Sequence, residues 1–106
     1  MSVVLCVRLW PNAGQEDALV AYEDSVVALL PEHGARVVAR VRAGDGDGTN
    51  AGDAASADGH PFETQIIEFA EDSGLDAYMR DPRRTAASDV RDRAIARTEI
   101  QRVTLV

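Results

Sequence analysis

The chain opens with a two-residue alternation. Val3, Leu5, Val7 and Leu9 face one way and Val4, Cys6, Arg8 and Trp10 the other, which predicts a strand over Val3–Trp10. Both faces are largely apolar, so the strand is expected at the centre of a sheet. Pro11-Asn12-Ala13-Gly14 ends it. The period then lengthens: Ala18, Leu19, Tyr22, Val26, Leu29 and Leu30 make one apolar stripe of a helix from Gln15 to about His33. Glu16 and Asp17 suit its positive end, Pro31 kinks or tightens it, and Gly34 stops it. Alternation returns in Arg36–Arg42, with Val37, Ala39 and Val41 on one face and Arg36, Val38, Arg40 and Arg42 on the other. Such a charged face marks an edge strand.

Ala43–His60 breaks every period. It holds five of the eight glycines, four aspartates and no large apolar residue, so it reads as a mobile loop between two strands. A calcium loop is the alternative, through Asp45, Asp47, Asn50 and Asp53. The EF-hand spacing fails, because Asn50 stands at its glycine and Ser56 at its closing glutamate. No metal is expected. Phe62–Ala70 is a third strand, with Gln65, Ile67 and Phe69 on one face and Thr64, Ile66 and Glu68 on the other. Ser73 is expected to cap a short helix running to Arg80. Asp81-Pro82 then starts a second helical piece that ends near Asp92, and Arg97–Leu105 forms the last strand. Leu-x-Ala-Tyr occurs twice, at Leu19–Tyr22 and Leu75–Tyr78, each time after a strand and a polar break.

The order βαββαβ is the split-βαβ pattern of a ferredoxin-like α+β fold with a four-stranded antiparallel sheet. Right-handed crossovers put the first and third strands at the centre and the second and fourth at the edges. Residues 1–106 make one domain on this reading, with 43–60 as its loop. The helices cover the face carrying Val3, Leu5, Val7, Leu9, Val37, Val41, Ile67 and Phe69. The opposite face carries Val4, Cys6, Trp10, Val38 and Ile66, with Arg8, Arg40 and Glu68 among them. No segment is left over to cover it, so a homodimer through the helix-free sheet face is expected.

Composition narrows the partners. The net charge of −7 is uneven: residues 1–79 hold 4 Arg against 14 Asp or Glu, whereas residues 80–106 hold 7 Arg against 4. So acidic a surface repels phosphate backbones and argues against nucleic acid. No apolar run is long enough for a membrane span, and the first residues do not read as a signal peptide. The single cysteine, Cys6, agrees with a reducing compartment, so a cytoplasmic location is expected.

No phosphate loop, CxxC, metal-spaced His pair or nucleophile elbow is present, and no cofactor is expected. The ligand-binding candidates are Arg8, Arg40 and Glu68, projecting from three strands onto one apolar face, with Trp10 as an apolar wall. Ion pairing within the dimer interface is the plainer reading of those charges. His33 suits the end of the first helix, and Tyr22 and Tyr78 suit core packing.

Tyr78, Pro82 and Arg91, preceded by the Ile66–Phe69 strand and followed by the Arg97-Thr98 strand start, resemble an uncharacterised family of the dimeric α/β-barrel superfamily. That superfamily includes antibiotic-biosynthesis monooxygenases and muconolactone isomerase-like proteins. Where the family often carries an aromatic two residues after the proline, this chain has Arg84. The resemblance implies the fold and a face-to-face dimer. Two functions stay open beside it. One is a dimer that binds a small metabolite between its sheets. The other is a cofactor-free monooxygenase- or isomerase-like enzyme, for which His60, Glu68 and Tyr78 are the residues able to act as base.

Overall fold

A computed structural model of the chain describes residues 2–44 and 59–106. The loop reading for 43–60 and its calcium alternative therefore fall largely outside the described residues. Strand β1 (Val3–Pro11) leads to helix α1 (Glu16–Val27), a 3₁₀ turn (Leu30–His33) and strand β2 (Ala35–Arg42). Strand β3 (Glu63–Phe69) is followed by three helical pieces, α2 (Asp72–Met79), α3 (Pro82–Thr85) and α4 (Ser88–Ala94), and by strand β4 (Ile95–Val103). The four strands form one antiparallel sheet in the order β2-β3-β1-β4, with the most apolar strands at its centre, as expected for a ferredoxin-like fold.

The core lies between one sheet face and the helices. Val3, Leu5, Val7 and Leu9 from β1 and Ile67 and Phe69 from β3 meet Leu19, Tyr22 and Val26 of α1, Leu30 of the 3₁₀ turn and Tyr78 of α2. Both copies of Leu-x-Ala-Tyr thus place their tyrosine in the core, at 4% and 6% exposure.

Local chemistry shifts several boundaries. Helix α1 stops at Val27 instead of bending onward to His33, because the ring of Pro31 would press on the carbonyl four residues back, which is that of Val27. The chain tightens into the 3₁₀ turn and leaves it through Gly34, whose φ of 67° favours glycine. Ser73 does not cap α2: the cap position is Glu71, with no side-chain cap bond, and Ser73 sits inside the first turn. Asp81 does cap α3, accepting from the Arg83 backbone N–H at 2.9 Å, with Pro82 as the first helical residue. The second helical piece divides into α3 and α4. Strand β4 begins two residues early because Ile95 is drawn into the core beside Ala94. Asn12 secures that junction, its side-chain amide donating to the carbonyls of Asp92 and Arg93 at 3.1 and 2.8 Å.

The largest departure is in β2. Val37 pairs with Ile67, yet Ala39 pairs with Ile66, so Val38 is an extra residue in the strand. A bulge of this kind flips every later side chain to the other face. Arg40, opposite Gln65, and Arg42, opposite Glu63, consequently share the helix-covered face, while Val41 turns to the other face and is 58% exposed. The expectation that Arg40 joins Arg8 and Glu68 on the helix-free face, and that Val41 joins the core, is corrected by this one inserted residue.

The 3₁₀ turn and α2 approach closely at Gly74. A Cβ built there would press into the backbone carbonyl oxygen of His33, so the backbone of one element would have to shift. Gly74→Ala should cost roughly 1–3 kcal/mol, as overpacking does, and lower the urea midpoint. An unchanged midpoint would contradict this packing.

Candidate functional site

Between the sheet and the helices lies a cavity of about 170 Å³. Its floor is apolar: Leu5, Val7, Leu9, Ile67 and Phe69 from the central strands, with Val26 and Leu75 at the sides. Into this lining the chain introduces Glu23, Gln65, Tyr78, Arg84 and Arg91. An apolar cavity with a few convergent polar groups is the usual form of a small-molecule site.

Each polar group has a structural reason for its place. Glu63 and Gln65 occupy inward positions of β3, in phase with Ile67 and Phe69, and are fully or almost fully buried. A buried carboxylate requires partners. The bulge in β2 supplies two: Arg40 Nε and Arg42 Nε each donate to Glu63 at 2.7 Å. Arg40 also reaches outward to Asp24 at 2.8 Å. The Gln65 amide donates to Glu63 at 2.6 Å and to Glu23 at 2.8 Å. A chain of hydrogen bonds therefore runs from Asp24 at the surface through Arg40, Glu63 and Gln65 to Glu23 in the cavity wall.

The two glutamates respond oppositely to burial. Burial alone would raise Glu63, but the hydrogen bonds from Arg40, Gln65 and Arg42 outweigh it and hold the carboxyl below the ordinary glutamate range. Glu23 has the Gln65 amide as its hydrogen-bond partner and the Glu63 charge nearby. Burial therefore prevails and raises it, against the opposing charges of Arg84 and Arg40.

Arg84 stands across this pocket. Its guanidinium lies over the Tyr78 ring, 4.4 Å from the centroid, and one terminal nitrogen is 3.2 Å from the Met79 sulfur. Its Nε is buried without a hydrogen-bond partner, alone in this among the buried side-chain nitrogen and oxygen atoms of the described residues. The Tyr78 hydroxyl donates to the Val26 carbonyl at 3.2 Å, and burial pushes its pKa up to about 12. Arg91 donates to the Thr98 hydroxyl at 3.0 Å on the β4 side. Beneath Tyr78, a His33 ring nitrogen lies 2.8 Å from Asp81, whose carboxyl is held well below the usual range by hydrogen bonds from Arg83 and His33. Among the described residues, no group of three or more His, Cys, Asp or Glu side chains is arranged to hold a metal ion.

Of the candidates named from the sequence, only Tyr78 lines this cavity. Arg40 stands behind it, as a partner of Glu63. Arg8 and Glu68 lie on the helix-free face, where Arg8 reaches Glu99 and Gln101, each at 3.4 Å, and Glu68 accepts from Arg36 at 3.0 Å. Trp10 is buried on that side, its N–H donating to the Gly59 carbonyl at 2.9 Å and its ring covered by the Arg97 guanidinium. His60 is exposed and borders a shallow groove with Val41, Arg42 and Thr64. The four do not converge on one pocket. Glu23, Gln65 and Arg84 line the cavity without being among the candidates the sequence points to. The alternation of β3 held a signal for the first two, since Glu63 and Gln65 are polar at core-facing positions, and Glu23 adjoins the α1 stripe four residues after Leu19. Arg84 gave no such signal within its polar run.

At the level of sequence, no family model matches the chain, and no curated protein matches it either. Solved structures do share its fold. The Rv0793 protein of Mycobacterium tuberculosis superposes with a TM-score of 0.70 at 15% identity, over 100% of this chain and 96% of its own. The RPA0582 protein of Rhodopseudomonas palustris, of unknown function, gives 0.73 at 15% identity over 99% and 82%. A candidate antibiotic biosynthesis monooxygenase of Bacteroides thetaiotaomicron gives 0.67 at 11% identity over 99% and 90%. At these identities the likeness establishes the ferredoxin-like fold alone.

Linkage follows from the opposed glutamates. Glu63 titrates lower in the folded chain than in the unfolded one, so its stabilisation is complete above the ordinary glutamate range and lost as pH falls through it. Glu23 titrates higher, so its ionisation destabilises the fold as pH rises above that range. Glu63→Gln should cost roughly 2 kcal/mol at pH 7, the scale of hydrogen bonds to a charged group, and flatten the loss of stability below pH 5. Urea midpoints as steep in acid as those of the unaltered chain would exclude Glu63 as the source.

Proposed function

We propose that this protein binds a small, largely apolar metabolite bearing one acidic oxygen, in the cavity between helices and sheet. The observation carrying this reading is Arg84: a cation with an unpartnered buried Nε, in the lining of a pocket whose floor is apolar. A guanidinium in such surroundings receives an acidic oxygen through charge-assisted hydrogen bonds, roughly twice as strong as neutral ones. Glu23 shapes the selectivity. The pocket accommodates one negative charge opposite Arg84, either on Glu23 with a neutral ligand or on the ligand with Glu23 protonated. The raised Glu23 carboxyl favours the second arrangement in mildly acidic solution.

Two further features belong to this reading. The protein pairs through its helix-free sheet face as a homodimer, supported by the apolar residues Val4, Cys6 and Ile66 there and by the two-layer thickness of 19 Å. It works in the cytoplasm, supported by its single, buried Cys6; among the described residues no helix is long and apolar enough to cross a membrane. Nucleic acid is not among its partners, given the net charge of −7.

Two measurements check the proposal. The probe 3-phenylpropionate, titrated by calorimetry, should bind, and Arg84→Met should weaken it about tenfold or more. Affinity should also decline as pH rises above the ordinary glutamate range and Glu23 ionises. Equal affinity in Arg84→Met, or affinity flat across that range, would reject the site. In sedimentation velocity at micromolar concentration the protein should run as a dimer, and a monomer would reject the pairing.

A further inference from the structure

We infer that Glu23 is a proton-transferring base and that the cavity catalyses enolisation of small carbonyl compounds. The inference rests on the binding reading above and adds a reaction to it. The geometry that carries it is the placement of a carboxyl group and a cation on one pocket with an apolar floor. Glu23 is 7% exposed and Gln65 anchors it at 2.8 Å; Arg84, with its unpartnered Nε, borders the same space. The hydrogen-bond chain from Glu63 fixes Gln65, so the Glu23 carboxyl is oriented before any substrate arrives. Pre-placed groups of this kind stabilise a developing charge without having to reorganise.

The step balances within the pocket. A neutral ketone enters with its carbonyl oxygen toward Arg84. The Glu23 carboxylate removes a proton from the adjacent carbon; the C–H bond breaks and an O–H bond forms on Glu23. The electron pair moves into the C–C bond and onto the carbonyl oxygen, giving an enolate paired with the guanidinium. The proton on Glu23 exchanges with solvent, and delivery of a solvent proton to the same carbon restores the ketone with its α-hydrogen replaced. Return to a conjugated carbon two bonds away moves a double bond. No oxidant, reductant or metal enters, and the pocket holds one negative charge throughout. The raised Glu23 carboxyl suits this work, since a base titrating nearer neutrality is better matched to a carbon acid. The substrate class is a planar ketone with an acidic α-carbon and the size of one or two fused rings.

The test uses 2-indanone in deuterium oxide, with loss of its α-proton signal followed by NMR. The protein should accelerate exchange on the order of a hundredfold over buffer, and Glu23→Gln should bring it back to the buffer rate. The exchange rate should rise with pH to a plateau, with its midpoint above the ordinary glutamate range. The groups facing Glu23 in that titration are Glu63, Arg84, Arg40 and Tyr78. Binding of 3-phenylpropionate by Glu23→Gln shows that the pocket is intact in the variant. No acceleration by the unaltered protein, or full acceleration by Glu23→Gln, overturns the inference. If 3-phenylpropionate still binds the unaltered protein in an Arg84-dependent way, the binding reading survives that result.

Discussion

The site depends on a carboxylate that would be untenable alone. Glu63 has no exposed surface, yet it lies at the end of a strand whose inward neighbours are Gln65, Ile67 and Phe69. Two guanidinium groups and an amide make its burial possible, and both guanidiniums come from β2. They face inward only because Val38 is an extra residue in that strand. Without the bulge, Arg40 and Arg42 would point to the opposite face, and Glu63 would be a buried charge with one amide for company. A one-residue irregularity in an edge strand thus fixes the polar architecture of the interior.

From that anchor the rest of the pocket follows. Gln65 spends one N–H on Glu63 and the other on Glu23, so the better-paired carboxylate orients the poorer one. Two glutamates bridged by one amide end with opposite titration shifts, because three donors serve the first and one serves the second. Groups separated in this way by their surroundings are suited to different roles, one structural and one chemical. Arg84 and Tyr78 line the pocket from the helix side, with the guanidinium stacked over the ring.

Much of this fold was legible in the residues. The two-residue period of Val3–Trp10 and of the third strand, the helical stripe from Ala18 to Val26, the left-handed stop at Gly34 and the Asp81-Pro82 start all reflect chemistry local to a few neighbours. The strand order followed from the handedness of crossovers. The site was far less legible, for a physical reason. Period-two reading assumes an unbroken pleat, and the bulge at Val38 breaks it without a glycine or proline to mark the place. An unbroken pleat would set Arg40 on the face of Arg8 and Glu68; the extra residue sets it on the other, so the three do not cluster. Arg84 lies in a polar run resembling any solvated helix, and only the packing of α3 beside Tyr78 brings it to the pocket. Polar residues at the inward positions of β3 were the one local sign that the core held more than packing.

The central claim is that ligand enters the space between helices and sheet, not the helix-free face. The measurement that tests it most directly is a set of intermolecular nuclear Overhauser effects between 3-phenylpropionate and the methyl groups of the labelled protein. Contacts to Val26, Ile67 and Leu75, which line the cavity, are the expected result. Contacts instead to Val4, Ile66 and Val103, which lie on the opposite face of the sheet, would contradict it.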